Sequence, residues 1–549
     1  MSERIVSAMH RCLAIPYLLT IIFENVVEDT QEKWPRPGSS TLAALAVTCQ
    51  LFNEPALKVL WRFLPSLEPL VRCLPPHTFC FHKTPKSSEQ LHISREIQSK
   101  DFERAAYYGA MVRILGDPSP RCRLPKAQFH PLVIPVLLSR GNTPRPLLPN
   151  LRHINVGIDE FRDQAVYPQL IMGPNIRSIV ITIQGHPTDN YPWDNIRETL
   201  CKSPTSPSAP HAITSFKIVM AANDAQFLPH PDLLHVICSL QRLQVLSIPH
   251  TALTHASLSE LSTFSDLTEL DVMVKGDEIM QYIQMGAKGM SFPALTRLQL
   301  RTDDLRACGR LLELPGFQKL DSLRIRRLTN NSVWDMDHFF DTIKVRNSLT
   351  SLEISGPMLP WTLQGTNISP VTARTIEPLL SFTNLTKLFI DVDTFVQIDN
   401  ECLKRMAEAW PRLQCLCLED RSQGIVTNAT LAGLIPLARS CQNLEELTLR
   451  VDAARDIPGF AKLGAVTACS SLRSFYVCTS PVKNPTQVAI FLQLLFPYLS
   501  EVWPGWLYDG GDDLIEPNDP LEIKYLDCWQ DVVQLLRECD HGQHKPWVQ

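Results

Sequence analysis

No run of about 18 apolar residues, the length a membrane-spanning helix requires, occurs in this 549-residue chain. An excess of one charge is missing too. Net charge is −5 and the pI is near 6.3, so the chain as a whole offers no basic field for nucleic acid or an anionic membrane surface. Catalytic signatures are absent: there is no Gly-rich phosphate loop, no His-Glu-x-x-His, no Gly-x-Ser-x-Gly and no paired Cys-x-x-Cys. The apolar run from Cys12 to Val27 is broken by Pro16, Glu24 and Asn25 and has no small-x-small cleavage pattern, so it does not read as a signal peptide.

The 16 cysteines are dispersed along a long chain, unlike the dense framework of a small secreted domain. Several, such as Cys415, Cys417, Cys441 and Cys469, stand where a small apolar residue would serve, which predicts buried thiols in a reduced compartment. Two clusters look superficially like metal ligands: Cys73, His77, Cys80 and His82, and Cys539, His541 and His544. Neither has the second ligand pair of a structural zinc site. The acidic run Asp509-Gly510-Gly511-Asp512-Asp513 lacks the alternating ligands and distal Glu of a calcium loop and reads as a solvated turn. No metal or cofactor is expected. Asn367, Asn384 and Asn428 begin glycosylation triplets, a pattern short enough to recur by accident.

What is abundant is one apolar phrase, Leu-x-x-Leu-x-Leu. Its clearest copies are Leu243-Gln244-Val245-Leu246-Ser247-Ile248, Leu295-Thr296-Arg297-Leu298-Gln299-Leu300 and Leu444-Glu445-Glu446-Leu447-Thr448-Leu449. Looser copies start at Leu151, Ile176, Ile213, Leu267, Leu320, Leu349, Leu385, Leu413, Leu472 and Leu499. The copies recur every ~24 to 37 residues, about 29 on average, close to the leucine-rich-repeat period. Each Leu-x-Leu predicts a short strand buried on one face, and the segment after it predicts a returning helix. Asp399 to Trp410 illustrates this, with Leu403, Met406 and Trp410 as an inner face behind an Asp399 cap. Thr427 to Arg439 and Pro485 to Leu495 repeat the pattern. Stacked units close one core that no single unit can close alone. Trp529, Val532, Val533 and Leu536 fall at i, i+3, i+4 and i+7 and predict a terminal helix that covers the last repeat.

Before the repeats, residues 12 to 72 read as a helical unit. Ile15-Pro16 opens a helix with Leu18, Leu19, Ile22, Phe23 and Val26 on one face, a loop runs from Glu28 to Ser40, and Thr41 is the expected cap of the next helix. Asn53-Glu54-Pro55 is expected to introduce the third. Residues 76 to 92 read as a linker, Phe102 to Leu115 as a helix, Pro118 to Pro125 as a loop, and Arg140 to Pro149 as the entry to the first repeat. Pro187–Pro210 and Gly356–Pro370 read as surface insertions.

The motif Ile15-Pro16-Tyr17-Leu18-Leu19…Ile22-Phe23, followed by Leu42…Leu45-Ala46-Val47-Thr48-Cys49…Phe52…Pro55-Ala56-Leu57…Leu60-Trp61, resembles an F-box. It is most similar to the variant of many basidiomycete fungal proteins. Their Leu-x-Pro-Leu-x-x-Cys-Leu-Pro tail is matched by Leu67 to Pro75, and their Asp-hydrophobic…Tyr-Ala segment is echoed by Asp101 to Val112. The usual Leu-Pro start is Ile-Pro here, the interhelical loop is long, and Phe52 stands in place of a tryptophan. The resemblance implies a non-catalytic substrate-recognition subunit of a cullin–RING ubiquitin ligase, in the cytoplasm or nucleus. Ile15, Pro16, Leu19, Ile22, Phe23, Leu42, Leu45 and Leu60 are then the expected contacts to a Skp-family adaptor, and through it to a cullin. The alternative is a leucine-rich-repeat scaffold whose helices only cap the array.

The fold expected is α/β: a leucine-rich-repeat solenoid, or horseshoe, with a parallel concave sheet, preceded by an all-α unit. Its boundaries are residues 1–75 (F-box-like helices), 76–146 (linker and connector), 147–508 (repeats) and 509–549 (loop and capping helix). Residues between the inward leucines point to the other sheet face. The copy at Leu295 puts Arg297, Gln299 and Arg301 there, the copy at Leu320 puts Ser322, Arg324 and Arg326 beside them, and the copy at Leu267 contributes Glu269 and Asp271. Arg297, Arg301, Arg324 and Arg326 form a candidate surface for an unidentified target protein, a patch of fork donors. Pairing with acids such as Glu269 is the competing reading. Lys387, Phe389 and Tyr476 occupy equivalent outward positions.

Overall fold

Alternation of leucine with polar residues builds parallel strands all along the chain. The computed structural model describes residues 15–27, 38–83, 89–95, 97–116, 128–129, 147–157, 173, 175–183, 196, 213–220, 231–285, 292–328, 335–344, 348–356, 370–391, 395–420, 427–455, 457–459, 468–505 and 520–540. The chain forms two units, Met1–Ala252 and Leu253–Gln549.

The first unit begins with three helices, α1 (Pro16–Glu24), α2 (Ser39–Thr48) and α3 (Gln50–Leu60). Leu19, Phe23, Leu42, Ala46 and Ala56 are its buried core, with Val26, Leu45, Phe52, Val59 and Leu60 packed around them. Phe23 and Phe52 meet edge to face at 5.6 Å. Two helix starts differ from expectation. Helix α2 begins at Ser39 rather than after Thr41, because Gly38 adopts φ +85° and turns the chain beside the Val26 carbonyl, where a Cβ would collide. Helix α3 begins at Gln50, so Pro55 lies inside it and not at its first turn.

Six parallel strands follow: β1 (Phe63–Leu64), β2 (Ile114–Leu115), β3 (His153–Gly157), β4 (Ser178–Ile183), β5 (Ser215–Met220) and β6 (Val245–Leu253), ordered as in the sequence. The array therefore starts before Leu151, since β1 and β2 already pair in the same register. The helix expected from Phe102 to Leu115 is shorter. A 3-10 turn, Ser99–Phe102, leads into α4 (Glu103–Gly109), and Ile114–Leu115 instead satisfies its backbone between β1 and β3. Gly109 permits this turn by lying against the Leu147 carbonyl, 2.6 Å from where a Cβ would stand. The expected linker at 76–92 contains an antiparallel pair, Phe79–Lys83 with Glu89–Ile93. Trp61 stacks on Tyr108 with ring centroids 4.3 Å apart, joining the end of the three-helix segment to α4.

Nine parallel strands form the sheet of the second unit, also in chain order: β7 (Glu269–Val274), β8 (Arg297–Thr302), β9 (Ser322–Arg327), β10 (Ser351–Ser355), β11 (Lys387–Asp391), β12 (Cys415–Leu418), β13 (Glu446–Leu449), β14 (Ser474–Cys478) and β15 (Glu501–Pro504). Each unit is thus a leucine-rich-repeat-type α/β solenoid. One inward rung runs Leu270, Leu298, Leu323, Leu352, Leu388, Leu416, Leu447, Phe475 and Val502, and all are buried.

Helices α5 (Asn400–Ala409), α6 (Leu434–Ser440) and α7 (Pro485–Leu495) return the chain between strands. Asp399 caps α5 by accepting from the Cys402 N–H at 2.8 Å, as the sequence predicts. Leu403, Met406 and Trp410 are buried, as are Val488, Phe491, Leu492 and Leu495 of α7. The segment expected as one helix from Thr427 starts as a 3-10 turn, Leu431–Gly433, and becomes α-helical at Leu434. Pro436, which has no N–H to donate, consequently falls in the first turn. Buried donors tie successive helix ends together. Trp410 Nε1 donates to the Leu379 carbonyl, Cys441 Sγ to the Trp410 carbonyl, and Cys469 Sγ to the Cys441 carbonyl, at 3.2, 3.4 and 3.4 Å. Each carbonyl also accepts a backbone N–H, from Phe382, Leu413 and Leu444 respectively, so the side-chain donors occupy its second lone pair. None of the described cysteines is in a disulfide.

The terminal helix α8 (Pro520–Asp540) covers the last repeat. Trp529, Val532 and Leu536 are buried, Val533 is half-buried, and Trp529 Nε1 donates to the Ser480 carbonyl at 2.8 Å. No described helix is long and apolar enough to cross a membrane. The loops expected at Pro118–Pro125 and Asp509–Asp513, the glycosylation triplet at Asn367, the insertion Pro187–Pro210 apart from Ile196, and the insertion Gly356–Pro370 apart from its two end residues lie outside the described residues, as does most of Glu28–Ser40.

Two stability measurements check this account. Trp529→Ala should cost about 3–5 kcal/mol in chemical denaturation, from lost burial and the open cavity. Trp529→Phe, which mainly loses the hydrogen bond, should cost nearer 1 kcal/mol. Arg95 donates twice to the buried Asp101 carboxylate, at 2.9 and 3.0 Å, and the Gln98 N–H donates to it at 2.8 Å. Arg95 first, and that backbone N–H second, hold the carboxyl below its ordinary range. A lowered folded pKa stabilises fully above the unfolded value, and the contribution is lost as pH falls through the folded one. The gap in melting temperature between wild type and Asp101→Asn should therefore be widest near neutrality and close in acid.

Candidate functional site

Two surfaces carry the residues expected to act, one on the helices of the first unit and one on the sheet of the second. Helix α1 divides its sides sharply. Leu19 and Phe23 point into the three-helix core beside Leu42, and these three are essentially inaccessible; Leu45 and Leu60 are half-buried at its margin. Ile15, Pro16 and Ile22 stand exposed, so the eight expected adaptor contacts do not form one surface. The exposed ones are joined by residues the sequence reading passed over: Tyr17 at 73% exposure, Ile21, Val47 at 85% and Leu51. Other exposed large apolar side chains among the described residues are scattered from Tyr107 to Ile523. The signal for Tyr17 and Ile21 was present, since they follow each other at i, i+4 off the inner face of α1.

The outward face of the second sheet is arranged in three rows by its register. The first runs Glu269, Arg297, Ser322, Ser351, Lys387, Cys415, Glu446, Ser474 and Glu501. The second runs Asp271, Gln299, Arg324, Glu353, Phe389, Cys417, Thr448, Tyr476 and Trp503. The third begins Met273, Arg301, Arg326, Ser355 and Asp391. The four candidate arginines are neighbours, and Lys387, Phe389 and Tyr476 share their face, as the alternation predicts.

Their charges are partly committed. Arg297 forms an ion pair with Glu269. Arg324 reaches Glu353 at 2.7 Å, and Lys387 reaches the same carboxylate at 3.3 Å while lying 5.7 Å from the centre of the Phe389 ring. Glu353, at an outward position of the copy beginning Leu349, was legible by the same alternation and was missed. Arg301 and Arg326 sit opposite each other in the third row, and Arg326 has no ion-pair partner among the described residues. The sheet face thus carries a basic stretch at β8–β9, flanked by the acids of β7, and an aromatic edge at Tyr476 and the exposed Trp503.

Cysteines on this face are poor nucleophiles. Burial, reinforced by Glu446, pushes the Cys415 thiol up to about 12, and burial drives Cys417 well above its usual value. No group of three or more His, Cys, Asp or Glu side chains among the described residues is placed to hold a metal ion. The side chains of His82 and Cys539, together with His541 and His544, fall outside the described set.

No protein-family model matches the chain, and no curated protein matches it. Among solved structures it is similar to a TLR13–ssRNA13 complex, at 12% identity and a TM-score of 0.31, over 75% of this chain and 65% of that one. It is similar to a Rad7–Elc1 complex in yeast, at 15% identity and 0.32, over 63% and 80%. It is also similar to a PEPR1–AtPEP1 complex, at 14% identity and 0.30, over 76% and 56%. The chain spans less than two thirds of the first and third of these. At such identities and scores the likeness says nothing about activity or partner.

The division of α1 is open to measurement. Leu19→Asp buries an unpaired charge and should cost more than about 3 kcal/mol, whereas Ile22→Asp should stay within about 0.5 kcal/mol of wild type. Equal costs in chemical denaturation would contradict the placement of these side chains.

Proposed function

We propose that this protein is a substrate-recognition subunit of a cullin–RING ubiquitin ligase. Its N-terminal helices take a Skp-family adaptor, and its repeats hold a target protein. The observation that carries the reading is the concentration of Ile15, Tyr17, Ile21, Ile22, Val47 and Leu51 in water on a unit that already has its own core. Six large apolar side chains left in water on one small unit with a closed core mark it as a candidate partner-binding element. The motif around Ile15 to Trp61 supplies the class of partner by its resemblance to an F-box.

The mechanism is proximity. The receptor contributes binding and orientation, raising the effective concentration of the target beside a charged ubiquitin carrier, and no catalytic group of its own. Arg301 and Arg326, with the aromatic edge of the same sheet, are the target contacts in this reading. The compartment is the cytoplasm or nucleus.

The burial of Leu19 and Phe23 inside the three-helix core bears on the alternative, a scaffold whose helices only cap the array. A cap would turn its apolar face to the first strands. Here α1 presents Thr20 and Glu24 to the neighbourhood of Ile114 and His153 and keeps its apolar core for α2 and α3.

Co-purification with the organism's Skp-family adaptor tests the reading. The double variant Tyr17→Asp, Ile22→Asp removes two exposed apolar contacts while sparing the core, and its affinity should fall by about 100-fold, or roughly 3 kcal/mol. Equal recovery of adaptor by wild type and this variant, or recovery by neither, would leave the scaffold.

A further inference from the structure

Four consecutive rungs of the first unit's sheet are entered through arginine. Arg62, Arg113, Arg152 and Arg177 each directly precede a strand or its first pairing residue, and the register aligns them: Phe63 with Ile114, Ile114 with His153, and His153 with Ser178. Their backbones are joined in series. The Arg113 N–H donates to the Arg62 carbonyl at 2.8 Å, Arg152 to Arg113 at 2.8 Å, and Arg177 to Arg152 at 2.9 Å. Neighbouring strands lie about 4.8 Å apart, and like charges directly opposite destabilise a sheet.

A cavity of about 300 Å³ opens over this ladder, between α1, α3 and the first strands. Lys58, Arg62, Arg113, Arg152 and His153 line it, and Glu24 is the only acid among its lining residues. Glu24 is committed to Arg62, and Lys58 pairs with Glu54 at 2.8 Å. Arg113 is anchored, its Nη1 donating to the Ala110 and Val112 carbonyls at 3.0 and 3.3 Å. Arg152 has no ion-pair partner among the described residues. The field has a second signature. Arg113 and His153 are both held below their ordinary pKa, by burial first and then by the cations Arg152 and Arg62. Arg62, Arg113 and Arg152 thus hold positive charge close together at a part-buried place, where an anion would offset their repulsion.

We propose that this pocket binds a soluble small molecule carrying two or more phosphate groups. Guanidinium forks match phosphate oxygens in pairs. Arginines on three successive rungs span about 10 Å by strand spacing, more than one phosphate can bridge. The volume suits a small molecule and excludes a protein element. The pocket is built from the polar side of α1 and is independent of the ligase reading, so either stands if the other fails.

Titration calorimetry of the full-length protein with tripolyphosphate tests it. Wild type should bind at one site. Arg152→Ala should weaken binding about tenfold, and Glu24→Gln, which releases Arg62 from its acid, should tighten it. These opposite directions cannot both come from misfolding. Arg473→Ala, whose guanidinium lies over the Tyr498 ring in the other unit, should change nothing. Failure of wild type to bind, equal losses in Arg152→Ala and Arg473→Ala, or sulfate binding as tightly at matched ionic strength would overturn the proposal. So would binding to phosphoinositide-containing vesicles without binding to tripolyphosphate, which assigns the pocket to a lipid headgroup.

Discussion

Parallel register is the constraint on which both surfaces of the repeats depend. Leu298 must pair with Leu323, and Leu323 with Leu352, for the inward rung to close. A one-residue slip would turn every buried leucine into water. Once that pairing is fixed, Gln299, Arg324 and Glu353 are brought side by side with no choice of their own. The bond from Arg324 to Glu353 is thus a consequence of leucine burial, and so is the adjacency of Arg301 and Arg326. The apolar positions spend the folding energy, and the polar positions inherit their neighbours.

The same logic explains what could be read from the sequence. Alternation is local, so the outward placement of Arg297, Arg301, Arg324 and Arg326 followed from counting along one copy. Helix α5 with its Asp399 cap was legible because cap and apolar face lie within about three turns of each other. Ion pairing was less accessible. Glu269, 28 residues from Arg297, stands in the adjacent copy and was the competing reading, whereas Glu353, 29 residues from Arg324, went unread because only the register across an unequal insertion brings it there. The two earliest strands were hidden for a related reason. Phe63–Leu64 and Ile114–Leu115 are too short to show a period, and they become strands because His153–Gly157 offers an edge to continue.

The three-helix unit shows how burial can sort a motif into two roles. A resemblance points to residues, but it does not say which of them hold the unit together and which face outward. Leu19, Phe23 and Leu42 are spent on the interior, and Phe52 supplies the aromatic edge that fixes Phe23. That leaves Ile15, Pro16 and Ile22, with Tyr17 and Val47, as the apolar surface. A substitution at Leu19 therefore reports on folding, and one at Ile22 alters the surface and leaves the core intact.

The arginine ladder marks where sequence and structure part most clearly. Arg62, Arg113, Arg152 and Arg177 are separated by 51, 39 and 25 residues, and nothing in a linear reading joins them. Only the coincidence that each stands just ahead of a pairing strand brings them onto adjacent rungs. Net charge gave no hint, since a chain at −5 overall conceals a local field as readily as a neutral one. Evenly mixed charge excludes a global polyelectrolyte role. It does not exclude a pocket, because the charge that matters to a ligand lies within a Debye length of about 10 Å. Within that distance of Arg113 the register concentrates cations, and the physical question becomes what offsets their repulsion.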